Sequence, residues 1–185
     1  GGRGLYRRNG AVDSMGTTDF NIREKLDIPD CSGISYQLLD DEDDISRLSK
    51  IYYREAIRYE RRIEEFNILF KAKPMVLEPD KTPFTAVVAY SEKHPFDDGM
   101  AYVLGFKNAE NIFNVIEYAG ERSTILGIIN YILEDTKVQG IYIRIPRQDR
   151  VLINMLDSLQ VEGSDSSSGR TIRIVNKETL WIEIY

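Results

Sequence analysis

The sequence predicts a mixed α/β domain, a mixed sheet with helices on both of its faces, and three observations carry that reading. Two β-rich segments, Thr82–Ser91 and Gly99–Lys107, are joined by EKHPFDDG, which has the chemistry of a hairpin loop, so the first half of the sheet is antiparallel. From Asn111 to Gln160 strands and helices alternate, and right-handed crossovers of that kind set strands parallel. A chain of 185 residues with 42% hydrophobic and 29% charged residues is long enough to bury one such domain plus an appendage.

Each element follows from its pattern. Ala11–Met15 and Thr17–Ile22 each have strand character, and DCSGIS then marks a joint. Ile34, Tyr36 and Leu38 alternate with polar residues, the period of a half-buried strand. Five acidic residues, Asp40–Asp44, stand before Ile45, Leu48, Ile51 and Tyr52, as the first turn of a helix favours. Helical spacing persists through Ile57, Ile63, Phe66, Ile68, Leu69 and Phe70 to Pro74, as one long helix or two in sequence, with Arg58–Glu65 as its wet face. Asn111–Gly120 is a strand and Glu121–Lys137 a helix, with Ile125, Ile128, Ile129, Ile132 and Leu133 on its apolar face. Gly140–Pro146 is a strand ended by proline, and Gln148–Gln160 is an amphipathic helix that Asp149 is placed to cap. GSDSSSG, residues 163–169, reads as a flexible loop before two final strands within Thr171–Tyr185.

Several function classes are disfavoured by composition. The net charge of −6 argues against a nucleic-acid binder, with Arg3, Arg7 and Arg8 a local cluster only. A lone cysteine, Cys31, makes no internal disulfide, and apolar runs such as Ile125–Leu133 are too short for a membrane span, so a cytosolic protein with no membrane partner is expected. Acids in one continuous run point in all directions and do not converge on an ion, so no metal site is expected at Asp40–Asp44. His94, the single histidine, sits in a turn beside Pro95, and Tyr142 and Trp181 lie on alternating strands as packing residues.

The order of elements from residue 34 onward resembles the GNAT superfamily of acyl-CoA-dependent N-acyltransferases, in which the fourth strand and the helix after it cradle the cofactor's pyrophosphate. The opening GGRGLYRRNG adds to this: Leu5-Tyr6-Arg7-Arg8-Asn9-Gly10 is similar to the segment near the end of GNAT domains that precedes the closing strands. The resemblance implies that residues 1–29 are the tail of a preceding GNAT domain and residues 33–185 a second GNAT-like domain, an arrangement similar to tandem-GNAT acetyltransferases of the enhanced-intracellular-survival type. It also implies that Tyr6 serves as general acid toward a departing CoA thiolate. The remnant's two strands, having lost their own sheet, are expected to be poorly ordered or packed on an adopted surface.

The family's Gln/Arg-x-x-Gly-x-Gly/Ala loop is met here by Glu117-Tyr-Ala-Gly-Glu-Arg-Ser-Thr-Ile-Leu-Gly127, which puts Ile125 where the first glycine belongs. Gly120, Arg122 and Ser123 remain the candidates for any anion or cofactor contact. Three readings follow. The chain is the non-catalytic C-terminal half of an acetyl-CoA-dependent N-acetyltransferase, partnered by an N-terminal catalytic GNAT domain and supporting its acceptor pocket. Alternatively it is an active acyl-CoA N-acyltransferase with Tyr6 or another tyrosine as acid and Glu117 as base, or a non-enzymatic interaction module. Pairing of a sheet edge with a second copy is left open.

Overall fold

The structure is a computed structural model and describes residues 12–13, 16–29, 32–39, 45–56, 58, 61–71, 84–93, 99–166 and 171–172. Tyr6, Cys31, the acidic run Asp40–Asp44, His94 and Trp181 lie outside the described residues. The strands are β1 (Val12–Asp13), β2 (Thr17–Ile22), β3 (Ile34–Leu39), β4 (Thr85–Ser91), β5 (Ala101–Lys107), β6 (Ile112–Gly120), β7 (Gly140–Pro146), β8 (Gly163–Ser166) and β9 (Thr171–Ile172). The helices are α1 (Ile45–Tyr52), α2 (Ile63–Lys71), α3 (Arg122–Asp135) and α4 (Arg150–Ser158).

Seven strands form one mixed sheet in the order β3-β4-β5-β6-β7-β2-β8, and β1 pairs with β9 in a separate two-stranded sheet. Neighbours are antiparallel throughout except β6 and β7, which run parallel on either side of the crossover helix α3. Alternating side chains feed two cores. On one face Val87, Val103, Phe113, Ile141 and Ile143 pack beneath Ile125, Ile128, Ile129 and Ile132 of α3 and Leu152 and Leu156 of α4. On the other, Val88, Tyr102, Leu104 and Ala119 pack beneath Ile45, Leu48 and Ile51 of α1 and Phe66 of α2. Helices thus cover both faces, as the element order predicts.

Two expectations change, and a third, open between one long helix and two, is decided. Thr17–Ile22 has not lost its sheet: β2 is an interior strand, registered on β7 from Thr17↔Pro146 to Ile22↔Ile141 and on β8 from Thr17↔Ser166 to Phe20↔Gly163. Phe20 and Ile22 are buried in the core, and Asn130 of α3 clamps the following segment, its Oδ1 accepting from the Leu26 N–H at 2.8 Å and its Nδ2 donating to the Leu26 carbonyl at 2.9 Å. The stretch read as a flexible loop begins with a strand. Gly163–Ser166 is an edge strand, where exposed polar side chains are at home, and Ser166 Oγ lies 2.9 Å from Thr17 Oγ1 while Thr18 Oγ1 donates to Asp165 at 3.2 Å. The long helix is two: after Tyr52 the chain closes in i to i−3 turns, Arg54 N–H to the Ile51 carbonyl and Glu55 N–H to the Tyr52 carbonyl, and regular helix resumes only at Ile63. At that break Glu55 is half-buried and accepts the Gly120 N–H, while Arg54 stays exposed and donates to the Gly99 carbonyl.

Candidate functional site

β6 and β7 are paired over three positions only, Ile112↔Gly140, Phe113↔Ile141 and Asn114↔Tyr142, although β6 runs on to Gly120 and β7 to Pro146. A bulge contributes to the parting: Leu104 faces Glu117 and Gly105 faces Val115, leaving Ile116 as the extra residue of β6. The two strands therefore open into a wedge at the C-terminal end of β6, where α3 begins. This is the place where a parallel α/β sheet of this kind receives a ligand.

The turn that ends β6 is made by Gly120 at φ +104°, a left-handed conformation, and a Cβ there would overlap the Met100 carbonyl oxygen. Its amide, one residue before the N-cap Glu121 of α3, points at Glu55 and donates to Oε1 at 2.7 Å. Arg122, two residues on, donates through Nη1 and Nη2 to the same carboxylate at 2.6 and 3.0 Å, through Nη1 to the Gly120 carbonyl at 2.6 Å, and through Nε to Asp149 Oδ2 at 2.9 Å. Tyr118 donates its hydroxyl to that same Asp149 oxygen at 2.9 Å, and the Arg122 guanidinium lies 5.4 Å from the centre of the Tyr118 ring. Asp149 also caps α4, as predicted, accepting from the Leu152 N–H at 3.3 Å. The wedge is thus bridged from side to side by Glu55, Arg122, Asp149 and Tyr118.

These four groups are largely withdrawn from solvent, with side-chain exposures of 18% for Glu55, 21% for Arg122 and 10% for Asp149. Burial pushes the Glu55 carboxyl up, but the Arg122 hydrogen bonds, the Gly120 N–H and the Arg122 charge outweigh it and leave it below its usual range. For Arg122 burial acts to lower the value, and its partners Glu55 and Asp149 carry it above the ordinary one. Tyr118 is pushed well up, by burial first and by the Asp149 carboxylate second.

A second cluster lies beneath α1 and α2. Glu117 accepts the Tyr102 hydroxyl at 2.7 Å and Arg61 Nη1 at 3.0 Å, while Arg61 Nη2 lies 2.9 Å from its other oxygen. Arg61 itself sits 4.8 Å from the ring centres of both Tyr52 and Phe66. Burial foremost, then Glu117, drives the Tyr102 phenol well above its usual value.

Of the candidates read from sequence, Gly120 and Arg122 line a cleft of about 680 Å³ whose walls include Arg54, Glu55, Met100 and Glu121, and Ser123 follows at the start of α3. The Gly120 amide and the side-chain donors of Arg122 and Ser123 have partners within the chain. Gly120 and Arg122 serve Glu55, and Ser123 Oγ donates to Glu121 Oε1 at 2.9 Å. Ile125 does not intrude on the cleft, as its place in the loop pattern suggests it would; it is wholly buried under the sheet. Gly127 is held by a different need, because a Cβ there would overlap the Tyr36 hydroxyl. Tyr142 is half-buried and donates to Asp19 at 2.7 Å, a structural contact.

Glu55 is the residue that sequence reasoning missed. It lies in a charged run, YYREAIRYERR, that looks like a solvated helix face, and nothing local links it to a glycine 65 residues away.

Acetyl-CoA, the cofactor that the GNAT resemblance implies, would meet carboxylates at this turn. A diphosphate needs free backbone N–H groups at the start of α3. Here the Gly120 amide already faces a carboxylate, and Glu121 sets a second one alongside.

Several solved structures are similar to this chain. Eis1 from Mycobacterium abscessus matches with a TM-score of 0.61 at 18% identity, over 97% of this chain and 47% of that one. A conserved protein of unknown function from Enterococcus faecalis V583, described as a probable N-acyltransferase, matches with a TM-score of 0.62 at 11% identity, over 89% and 41%. A tandem GNAT protein from the clavulanic acid biosynthesis pathway matches with a TM-score of 0.55 at 14% identity, over 89% and 56%. This chain spans between about two fifths and three fifths of their lengths. No protein-family model matches the chain, and no curated protein matches it. Among the described residues no helix is long and apolar enough to cross a membrane.

Proposed function

We propose that this GNAT-fold chain is the non-catalytic, C-terminal half of a tandem acetyl-CoA-dependent N-acetyltransferase. In this reading the residues before β2 belong to the end of the preceding unit and carry Tyr6, whose phenol is that unit's acid, while β2 itself completes the sheet of this one. Residues 33–185 brace the catalytic unit and help to wall its acceptor pocket in the cytosol.

The observation that carries the reading is the Glu55 carboxylate on the Gly120 amide and on Arg122, at 2.7 and 2.6 Å. The Gly120 amide is taken by the chain's own Glu55, and the wedge beside it is bridged by Tyr118, Arg122 and Asp149, which supports a turn not used for a cofactor. An active enzyme built on Glu117 as base is less well supported, since that carboxylate already accepts from Tyr102 and Arg61 on the opposite face of the sheet. The similarity to Eis1, about twice this length, and to a tandem GNAT protein, about one and a half times it, supports the paired arrangement.

Titration of the chain with acetyl-CoA by calorimetry tests the proposal. No heat of binding is expected at cofactor concentrations up to about 1 mM, where affinities near 4 kcal/mol become visible. A dissociation constant in the micromolar range would overturn it.

A further inference from the structure

The second cluster, beneath α1 and α2, has the parts of a cation site. Tyr52 ends α1 and Phe66 lies on α2, and their rings meet nearly at right angles, with planes 80° apart and centroids 5.3 Å apart. They make a two-walled corner. The Arg61 guanidinium stands against it, 4.8 Å from each ring centre, where the negative faces of the rings attract a cation.

Glu117 of β6 completes the box. Arg61 Nη1 donates to its Oε1 at 3.0 Å and Nη2 lies 2.9 Å from its Oε2, a two-pronged pairing that a planar guanidinium makes and an ammonium does not. Tyr102 of β5 donates its hydroxyl to Oε1 at 2.7 Å and so fixes the carboxylate in place.

Walls and occupant have different origins. The four wall residues stand on two helices and two strands, whereas Arg61 belongs to neither α1 nor α2, so its withdrawal requires no helix to unwind. The Arg61 and Glu117 side chains each keep 17% exposure, and the box is therefore within reach of solvent.

We propose that this box is a binding site for a small alkylguanidinium compound, kept closed in the free chain by Arg61 as an internal stand-in. The contact is autoinhibitory: an incoming guanidinium meets the same two rings and the same carboxylate, and enters only as Arg61 withdraws. Tethering gives Arg61 an effective concentration in the millimolar range or above, which a competitor must exceed. This inference uses neither the tandem nor the non-catalytic reading, and an acetyl-CoA titration leaves it untouched.

Thermal melting in methylguanidinium chloride tests it on the native chain, R61A and R61A/E117Q. In R61A the box is vacated, and methylguanidinium is expected to act saturably with a half-effect at about 1 mM. At ten times that concentration the melting temperature rises by about 3–6 °C. The native chain needs about 10-fold more for the same rise, because Arg61 competes. Methylammonium, which lacks the fork, moves R61A by less than about 1 °C, and R61A/E117Q shows no saturable rise with either cation. An R61A chain that ignores methylguanidinium, or answers both cations equally, would overturn the proposal. So would a double variant that responds like R61A, or a native chain as sensitive as R61A, since either places binding elsewhere. Should R61A not fold, R61K keeps the charge and loses the fork; methylguanidinium then acts on it at lower concentration than on the native chain, and equal sensitivity of the two would overturn the proposal.

Discussion

Replacing Glu55 by glutamine keeps the shape of the side chain and removes the charge on which three hydrogen bonds converge. Glu55 receives the Gly120 N–H and both terminal nitrogens of Arg122, at 2.6 to 3.0 Å. Hydrogen bonds to charged groups contribute about 1.5–3 kcal/mol, and breaking a fully buried ion pair costs about 3–5 kcal/mol. Two features hold the loss below that upper range. Glu55 is 18% exposed, and Arg122 keeps Asp149 as a partner. We expect about 2 kcal/mol, which for a domain of this size lowers the melting temperature by roughly 4–8 °C. The effect has a pH signature. The folded-state pKa of Glu55 lies below the ordinary 4.5, so its contribution is present above that value and is lost as pH falls through the folded pKa. The gap between native and E55Q, read by differential scanning calorimetry, is therefore full at pH 7 and narrows progressively below about pH 4.5. Equal melting temperatures at pH 7, or a gap that stays constant into the acid range, would refute the bridge as described.

Phe20→Ala empties a wholly buried position of β2 and is expected to cost about 3–5 kcal/mol in urea unfolding; a cost under about 1 kcal/mol would mean that β2 is not an integral strand. Gly127→Ala drives a methyl group into the Tyr36 hydroxyl and is expected to destabilise by about 1–3 kcal/mol. Adding Tyr36→Phe removes the obstructing oxygen and recovers most of that loss, aided by the roughly 1 kcal/mol by which alanine exceeds glycine in a helix; absence of rescue in the double variant would place the strain elsewhere.

The fold was legible because its signals are local. Ile125, Ile128, Ile129 and Ile132 repeat at helical spacing and are all wholly buried in α3, and Asp149 caps α4 where a cap was read. Two kinds of information were not local. The destination of Thr17–Ile22 depends on a slot between β7 and β8, and its period of two is the same whichever sheet receives it. GSDS reads as loop by composition, yet an edge strand needs only backbone partners and polar side chains that tolerate water. At the candidate site, Gly120 and Arg122, both read from the loop pattern, meet at the turn that ends β6. What fills the turn came from Glu55, whose role arises from a break between α1 and α2 that hydrophobic spacing spans without interruption.

The insertion of β2 between β7 and β8 also sets a timetable for biosynthesis. Asp19 and its partner Tyr142 are 123 residues apart in sequence. At the usual 5–20 residues per second of translation, the N-terminal strand leaves the ribosome roughly 6–25 s before the strand it pairs with. During that interval Phe20 and Ile22 have no sheet to enter, and the nascent segment is open to holdase chaperones and to misassociation. Loop closure over that span is the slow, non-local step, so refolding from denaturant should lag behind that of a domain whose closing strand follows its neighbours.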